Sequence, residues 1–290
     1  MSLFFFAVQL LNAVQYGLIL FLVASGLTLL LGLMGVINLA HGVFYMAGAY
    51  LAYFVTQHVA DIWLALPAAI LIGLAIGAFL ERFLLSRLDG ADHLSQVLLS
   101  FGLILILNEA QRVLFGSDPH GVAIPRALDF SIPLSETLSY PAYRLFLCGV
   151  GLCFVVLTGF VMTRTRIGTM LRAGAENREM ARALGIDVKA IYLGVTAAGI
   201  ACAMLAGAIA APLTSVYPGM GDRILILSFV VVVLGGMGSL SGALAGALLL
   251  GLVDTFGKQY LPDFAAFLVY AAMIAVLALR PQGLFGRKSA

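Results

Sequence analysis

Charge is scarce in this chain of 290 residues. Asp, Glu, Lys and Arg together supply 10% of it, against about 25% in soluble domains. That shortage excludes a water-soluble globule, since too few polar side chains exist to cover one. The net charge of +2 offers no basic face for nucleic acid. Cysteine is equally sparse, and Cys148, Cys153 and Cys202 all fall inside apolar runs. They read as small packing residues, with no disulfide framework or thiolate metal site. The four histidines are scattered, and none pairs with a second ligand at metal spacing. No Walker A pattern, HExxH or GxSxG is present. No catalytic residue is therefore assigned, the chain is read as no enzyme, and any ATP hydrolysis falls to another chain.

What remains is apolar: 62% of residues are hydrophobic and the mean hydropathy is +1.07. Thirty-two glycines suit the close backbone contacts of transmembrane helices. A span takes roughly 20 apolar residues at 1.5 Å rise. Candidates lie at 7–33, 42–56, 62–85, 94–115, 141–163, 191–212, 224–240, 241–254 and 264–280. Those at 42–56 and 241–254 are short enough to be tilted, half-helical or re-entrant, so about 8–10 transmembrane segments are expected. The N-terminal stretch lacks a basic leader and exceeds a signal-peptide core, so it reads as a retained anchor. The runs are continuous rather than alternating, which excludes an outer-membrane barrel and makes strands unexpected. The fold class is therefore all-α, a polytopic membrane helical bundle forming a single domain over 1–290.

One charged island, 164–190, interrupts the oil. It carries Arg164, Arg166, Arg172, Arg178, Arg182 and Lys189 with Glu176, Glu179 and Asp187. Placed in the cytoplasm, alternation adds Arg82, Arg87, Arg280, Arg287 and Lys288 to that side and leaves Arg126, Arg144, Arg223 and Lys258 outside. That bias satisfies the positive-inside rule, and the inverted arrangement violates it. The C-terminus is then inside and, if nine segments cross, the N-terminus outside. The longest external loop, 116–140, is punctuated by prolines that disfavour helix. With the segment around Tyr217-Pro218-Gly219 it reads either as plain connection or as a rim for an external partner.

Two breaks combine glycine with polar residues. The first, Gly35 to Gly42, contains Asn38 and His41; it is either a turn between helices or a broken helix lining a pathway. The second, Leu234 to Gly242, contains Gly236, Gly238 and Ser239, and its LGGMG echoes Leu31-Gly32-Leu33-Met34-Gly35. The echo suggests an internal repeat of the transporter kind. Asn38, His41, Gly42, Gly236, Gly238 and Ser239 are accordingly the candidates for a translocation path. Small-residue stripes at Gly238/Gly242/Gly246, Gly199/Ala203/Gly207/Ala211 and Gly73/Gly77 suit close helix packing, within the chain or between subunits. Glu109 and Arg112 are spaced to pair at i,i+3, and Glu81-Arg82 invites the same reading.

Within the island, ENREMARALG from Glu176 suits a short helix of about ten residues, ended by Gly185. Met180 and Leu184 at i,i+4, with Ala181, form an apolar stripe. So short a helix is marginal alone in water and needs a surface to lie on: the bilayer, or a groove on a cytoplasmic partner. In the second case a charge introduced by Ala181→Glu breaks the contact.

NLAHG after the first span, LRAGAEN and ARALGI in the island, LGGMGSLSGALAGA and the terminal RPQGLFG occur in an order that resembles a known family. They look like the permease subunits of ABC importers for branched-chain amino acids, the shorter of two paralogous types. The resemblance runs over nearly the whole chain. It implies an ABC importer permease bundle working by alternating access in the bacterial inner membrane. It also implies partners: a paralogous permease, two cytoplasmic ATPase subunits and a periplasmic substrate-binding protein. ATP and Mg would bind those ATPases, with no cofactor on this chain. Residues Ala175 to Asp187 become the ATPase-coupling segment, with the family motif on Glu176, Asn177, Ala181, Gly185 and Ile186 beside Met180 and Leu184. Asn177 replaces an acid common in such proteins and still accepts hydrogen bonds. Relatives of this kind also serve urea and short amides, and a stand-alone secondary transporter is the alternative outside the family.

Overall fold

The helices start where short polar side chains can cap them. The computed structural model describes residues 3–36, 38–59, 61–88, 92–135 and 138–286. In it, Asp61 accepts from the Trp63 amide, Asp187 from Lys189 and Ala190, and Ser239 from Gly242, each at 3.0–3.1 Å. Each cap satisfies backbone donors that a helix start leaves orphaned. Eleven α-helices result among the described residues: α1 (Leu3–Met34), α2 (His41–Val59), α3 (Ile62–Phe83), α4 (His93–Phe115), α5 (Ala142–Arg164), α6 (Arg166–Glu176), α7 (Arg178–Ala183), α8 (Val188–Ala210), α9 (Met220–Gly235), α10 (Leu240–Tyr260) and α11 (Ala265–Leu279).

Seven of these segments, namely α1, α3, α4, α5, α8, α10 and α11 with its preceding 3₁₀ turn, are long and apolar enough to cross a membrane. The chain is a multi-pass membrane helical bundle. Helices α2 and α9, of 19 and 16 residues, fall outside that set and pack among the others. The most apolar stretches of α1 and α8 are 78% and 72% buried, against 11% for α4 and α11. So α1 and α8 form the axis, and α4 and α11 turn their apolar sides outward.

Glycine sets the spacing along that axis. A Cβ on Gly48 of α2 would sit 1.9 Å from the Met204 carbonyl oxygen of α8, and one on Gly26 of α1 would meet the Gly199 Cα at 2.6 Å. Gly73 and Gly77 of α3 lie equally close to Ala201 and Ala197 of α8. The stripes thus pack helices within the chain, backbone to backbone, where hydrophobic driving force is weak and van der Waals contact must substitute.

The loops sort into two ends. At one end, the Arg144 and Tyr140 side chains both donate to Asn12, Gln9 reaches Gln259, and Lys258 lies over the Tyr16 ring. At the other end, Leu171 of α6 packs with Leu30 and Val195, and the Phe285 amide donates to Gly235. The N-terminus of α1 and the terminal RPQGLFG therefore lie at opposite ends. Arg144 and Lys258 share the former end and the island the latter, as alternation requires. Arg287 and Lys288 lie outside the described residues.

Three expectations need correction. The loop 116–140 contains a two-stranded antiparallel hairpin, β1 (Ser131–Ser135) and β2 (Leu138–Pro141), where strands were unexpected. Outside the apolar runs the barrel argument has no force, and Pro133 sits at an irregularity where a missing N–H is tolerated. Helix α10 continues to Tyr260 instead of stopping near 254, because Asp254 and Lys258 pair at i,i+4 (2.5 Å) and keep the charge inside the helix. Helix α9, expected over 224–240, ends at Gly235 instead, as Gly236 and Gly238 both take positive φ.

Candidate functional site

The island is two helices, not one. Thr165 caps α6, and Asn177 ends α6 while its side chain accepts from the Met180 amide (2.9 Å) to start α7. The expected ten-residue helix from Glu176 is therefore six residues, with Glu176 left on the helix before it. Asn177 has extended backbone at φ −153°, which breaks the helix as an N-cap must. At the other end the amide of Gly185 donates to Arg182 and that of Ile186 to Ala181. With Gly185 at φ +81°, these bonds make a Schellman stop.

Helix α7 is held from behind. Ala181 is 2% exposed and packs with Val188 and Tyr192 of α8, against which Ile186 also lies. The Arg178 guanidinium sits 4.7 Å above the Tyr192 ring, a cation–π contact. Met180 and Leu184 are 57% and 72% exposed. The stripe Met180/Ala181/Leu184 is thus not one surface. Ala181 faces the chain's own α8, since it stands 100° round the helix from Met180, and its substitution by Glu tests folding rather than docking. Glu176 and Asn177 are exposed, as is Gly185, while Ile186 is half-buried.

The path candidates fall in separate places. His41 is fully buried as the first residue of α2, with Nε2 2.9 Å from the Val23 carbonyl oxygen. Val23 precedes the end of α1 by roughly 16 Å of helix. The chain after α1 consequently doubles back into the bundle before α2 begins, a re-entrant segment rather than a turn at the end of α1. Asn38, buried within it, accepts from the Ala40 amide; Ile37 lies outside the described residues. Gly42 abuts Gly221 at the start of α9. Gly236 is covered by Gln282, Gly283 and Gly286 of the C-terminal segment.

Gly238 and Ser239 line a cavity of about 580 Å³ shared with Thr158, Met162, Arg172 and Glu176. One coupling candidate, Glu176, thus meets two path candidates, while Asn38, His41 and Gly42 do not line it. The echoing segments do touch: a Cβ on Gly32 would fall 2.2 Å from the Gly238 Cα.

Three features went unread in the sequence. Helix α6 is amphipathic, with Gly168, Leu171 and Gly174 buried, a spacing legible in RTRIGTMLRAGAE. Glu81, which the sequence pairs with Arg82, is 4% exposed and accepts from the Thr196 hydroxyl of α8 at 2.8 Å; Arg82 points outward. The third is a second cavity of about 880 Å³ between α2, α3, α4 and α8, lined by Tyr50, Tyr53, Ile72, Ile76, Phe115 and Met204. It gathers aromatic residues from α2 and α4 and aliphatic ones from α3, which no local pattern announces. Glu109 and Arg112 pair as spaced, at 2.6 Å and well exposed. Among the described residues no group of His, Cys, Asp or Glu could hold a metal ion, and the three cysteines are unbridged.

With this geometry in hand, comparison with known proteins is specific. The family described as branched-chain amino acid transport system / permease component matches residues 9–277. The high-affinity branched-chain amino acid transport system permease protein BraD of Pseudomonas aeruginosa is 32% identical, covering 96% of this chain and 95% of its own length. The high-affinity branched-chain amino acid transport system permease protein LivH of Escherichia coli (strain K12) is 29% identical over 98% of this chain and 96% of LivH. LivM of the same organism is 30% identical over 92% of this chain but 68% of LivM. No solved structure gives a significant match.

Proposed function

Because the chain belongs to the branched-chain amino acid transport permease family, we propose that it is the permease subunit of an ATP-driven importer for apolar amino acids. It works in the bacterial inner membrane, with the island on the cytoplasmic side. It pairs with a second permease, as the similarity to both LivH and LivM supports. Two ATPase subunits carry ATP and Mg, and an external binding protein delivers substrate. This chain contributes no hydrolytic chemistry.

The observation that carries the reading is the construction of α7. Six residues are too few for a helix to persist in water, yet α7 is capped at both ends and pinned to α8 by Ala181 and Arg178. It presents Met180 and Leu184 outward from a charged segment. Exposed apolar side chains on a rigid, pinned helix suit insertion into a partner's groove. Displacement of that partner on ATP binding then moves α7, and α8 follows.

Leu184→Glu and Met180→Glu place a charge on that face without touching the chain's own core. Each is expected to lower co-purification of the ATPase subunits about tenfold or more, as loss of a buried interface anchor does, with thermal stability of the isolated permease unchanged. Wild-type retention of both ATPases and of substrate-stimulated hydrolysis in the double variant would overturn the assignment.

A further inference from the structure

We propose that Arg178, Tyr192, Thr196 and Glu81 form one strut that carries the displacement of α7 across α8 to α3. The inference rests on the reading of α7 as the ATPase contact. It adds the route by which movement leaves that contact, and it makes Glu81 and Thr196 positioning residues.

The strut is continuous in space. Arg178 of α7 stacks on Tyr192. Tyr192 and Thr196 stand one turn apart on the same face of α8. Thr196, fully buried, donates to Glu81 in the last turn of α3 at 2.8 Å. Above that bond α3 and α8 meet backbone to backbone at Gly77–Ala197 and Gly73–Ala201. Such a seam of small residues holds two helices close but resists sliding along their axes only weakly. An oriented hydrogen bond at its end fixes the axial register. A buried carboxylate is costly where an apolar side chain would pack without penalty, and the cost is offset by a directional, short bond.

The neighbouring helix reaches α8 through the apolar contact of Leu171 with Val195. Helix α6 leans on α5, where Gly168 fits against Val161 and Met162 and Arg172 bonds the Met162 carbonyl, and on α1 through Leu30. Helices α3 and α8 also supply Ile72, Ile76 and Met204 to the wall of the 880 Å³ cavity. A shift of the α3–α8 pair is therefore felt where an apolar cargo could be accommodated.

The test uses the complete importer in proteoliposomes, with uptake of labelled leucine and ATP hydrolysis read from the same vesicles. Thr196→Val removes the donor at constant shape, and Arg178→Gln removes the stacked cation. Thr196→Val is expected to retain bound ATPase and hydrolysis, and Arg178→Gln to retain hydrolysis per bound ATPase, while in both uptake per ATP hydrolysed falls about tenfold, the loss of a coupling free energy of ordinary size. Thr196→Ser, which keeps the donor, retains uptake. Because the contacts act in series, the double variant Arg178→Gln/Thr196→Val is no worse than either single one. Uptake and hydrolysis falling in parallel, uptake unchanged in the single variants, or additive losses in the double variant would overturn the strut. Failure of the underlying reading looks different: the wild-type complex would show no ATP-driven uptake or would hold no ATPase.

Discussion

Ala181 of α7 and Leu184 at its C-cap are three residues apart and answer to different masters. Ala181 is sealed against Val188 and Tyr192, whereas Leu184 is 72% exposed. Ala181→Glu buries an unpaired charge with no room for it and should cost roughly 3 kcal/mol or more. It is expected to lower the thermal midpoint and yield of the permease expressed by itself. Leu184→Glu leaves that midpoint unchanged and acts only once the ATPase is present. Thermal unfolding of the two variants in detergent separates these roles; equal midpoints would mean that Ala181 is not part of the chain's own packing. The distinction was invisible in the sequence. Met180, Ala181 and Leu184 all look apolar there, and which of them faces home depends on where α8 begins after the Gly185 stop.

At the scale of elements, the glycines divide into those that set helix spacing and those that do not. Gly48 and Gly26 leave no space for a methyl group, while a Cβ on Gly102 of α4 would meet nothing within 4 Å. Gly26→Ala and Gly48→Ala are expected to lower the thermal midpoint of the permease sharply, by overpacking that costs about 1–3 kcal/mol. Gly102→Ala leaves it unchanged or raises it, since alanine is the better helix former. Similar effects at all three positions would contradict the packing described.

Much of this level was legible in advance. Continuous apolar runs announced α1, α3, α4, α5, α8 and α11 because a membrane span demands uninterrupted hydrocarbon. The exceptions share one cause, a tertiary partner that local pattern does not contain. Asp254 stays helical because Lys258 meets it. Glu81 turns inward because Thr196 waits on α8, 115 residues away. His41 starts α2 beside Val23 because the preceding segment folds back into the bundle. Of the proposed coupling residues, the Gly185 stop follows from glycine's freedom at positive φ, whereas the helix starts after Asn177 rather than at Glu176, because the Asn177 side-chain amide caps it. The facing of α7 does not follow from the sequence.

The whole molecule is a sided device. Basic residues, the amphipathic α6, the pinned α7 and the C-terminal RPQGLFG collect at one end, with the hairpin, Asn12, Arg144 and Lys258 at the other. Positive charge on the island side matches a cytoplasmic face, so the end proposed to meet the ATPase and the end proposed to meet an external binding protein differ in chemistry. The buried axis of α1 and α8 joins them, and the loosely attached α4 and α11 leave apolar faces for lipid or a second permease.

The most direct measurement is accumulation of labelled leucine in proteoliposomes that hold this chain with its second permease and two ATPase subunits. Accumulation is expected only with ATP and Mg on the side of the ATPases and the binding protein on the other. It should vanish when either is omitted or when the ATPases are left out. Accumulation by this chain alone, driven by an ion gradient and indifferent to ATP, would contradict the account.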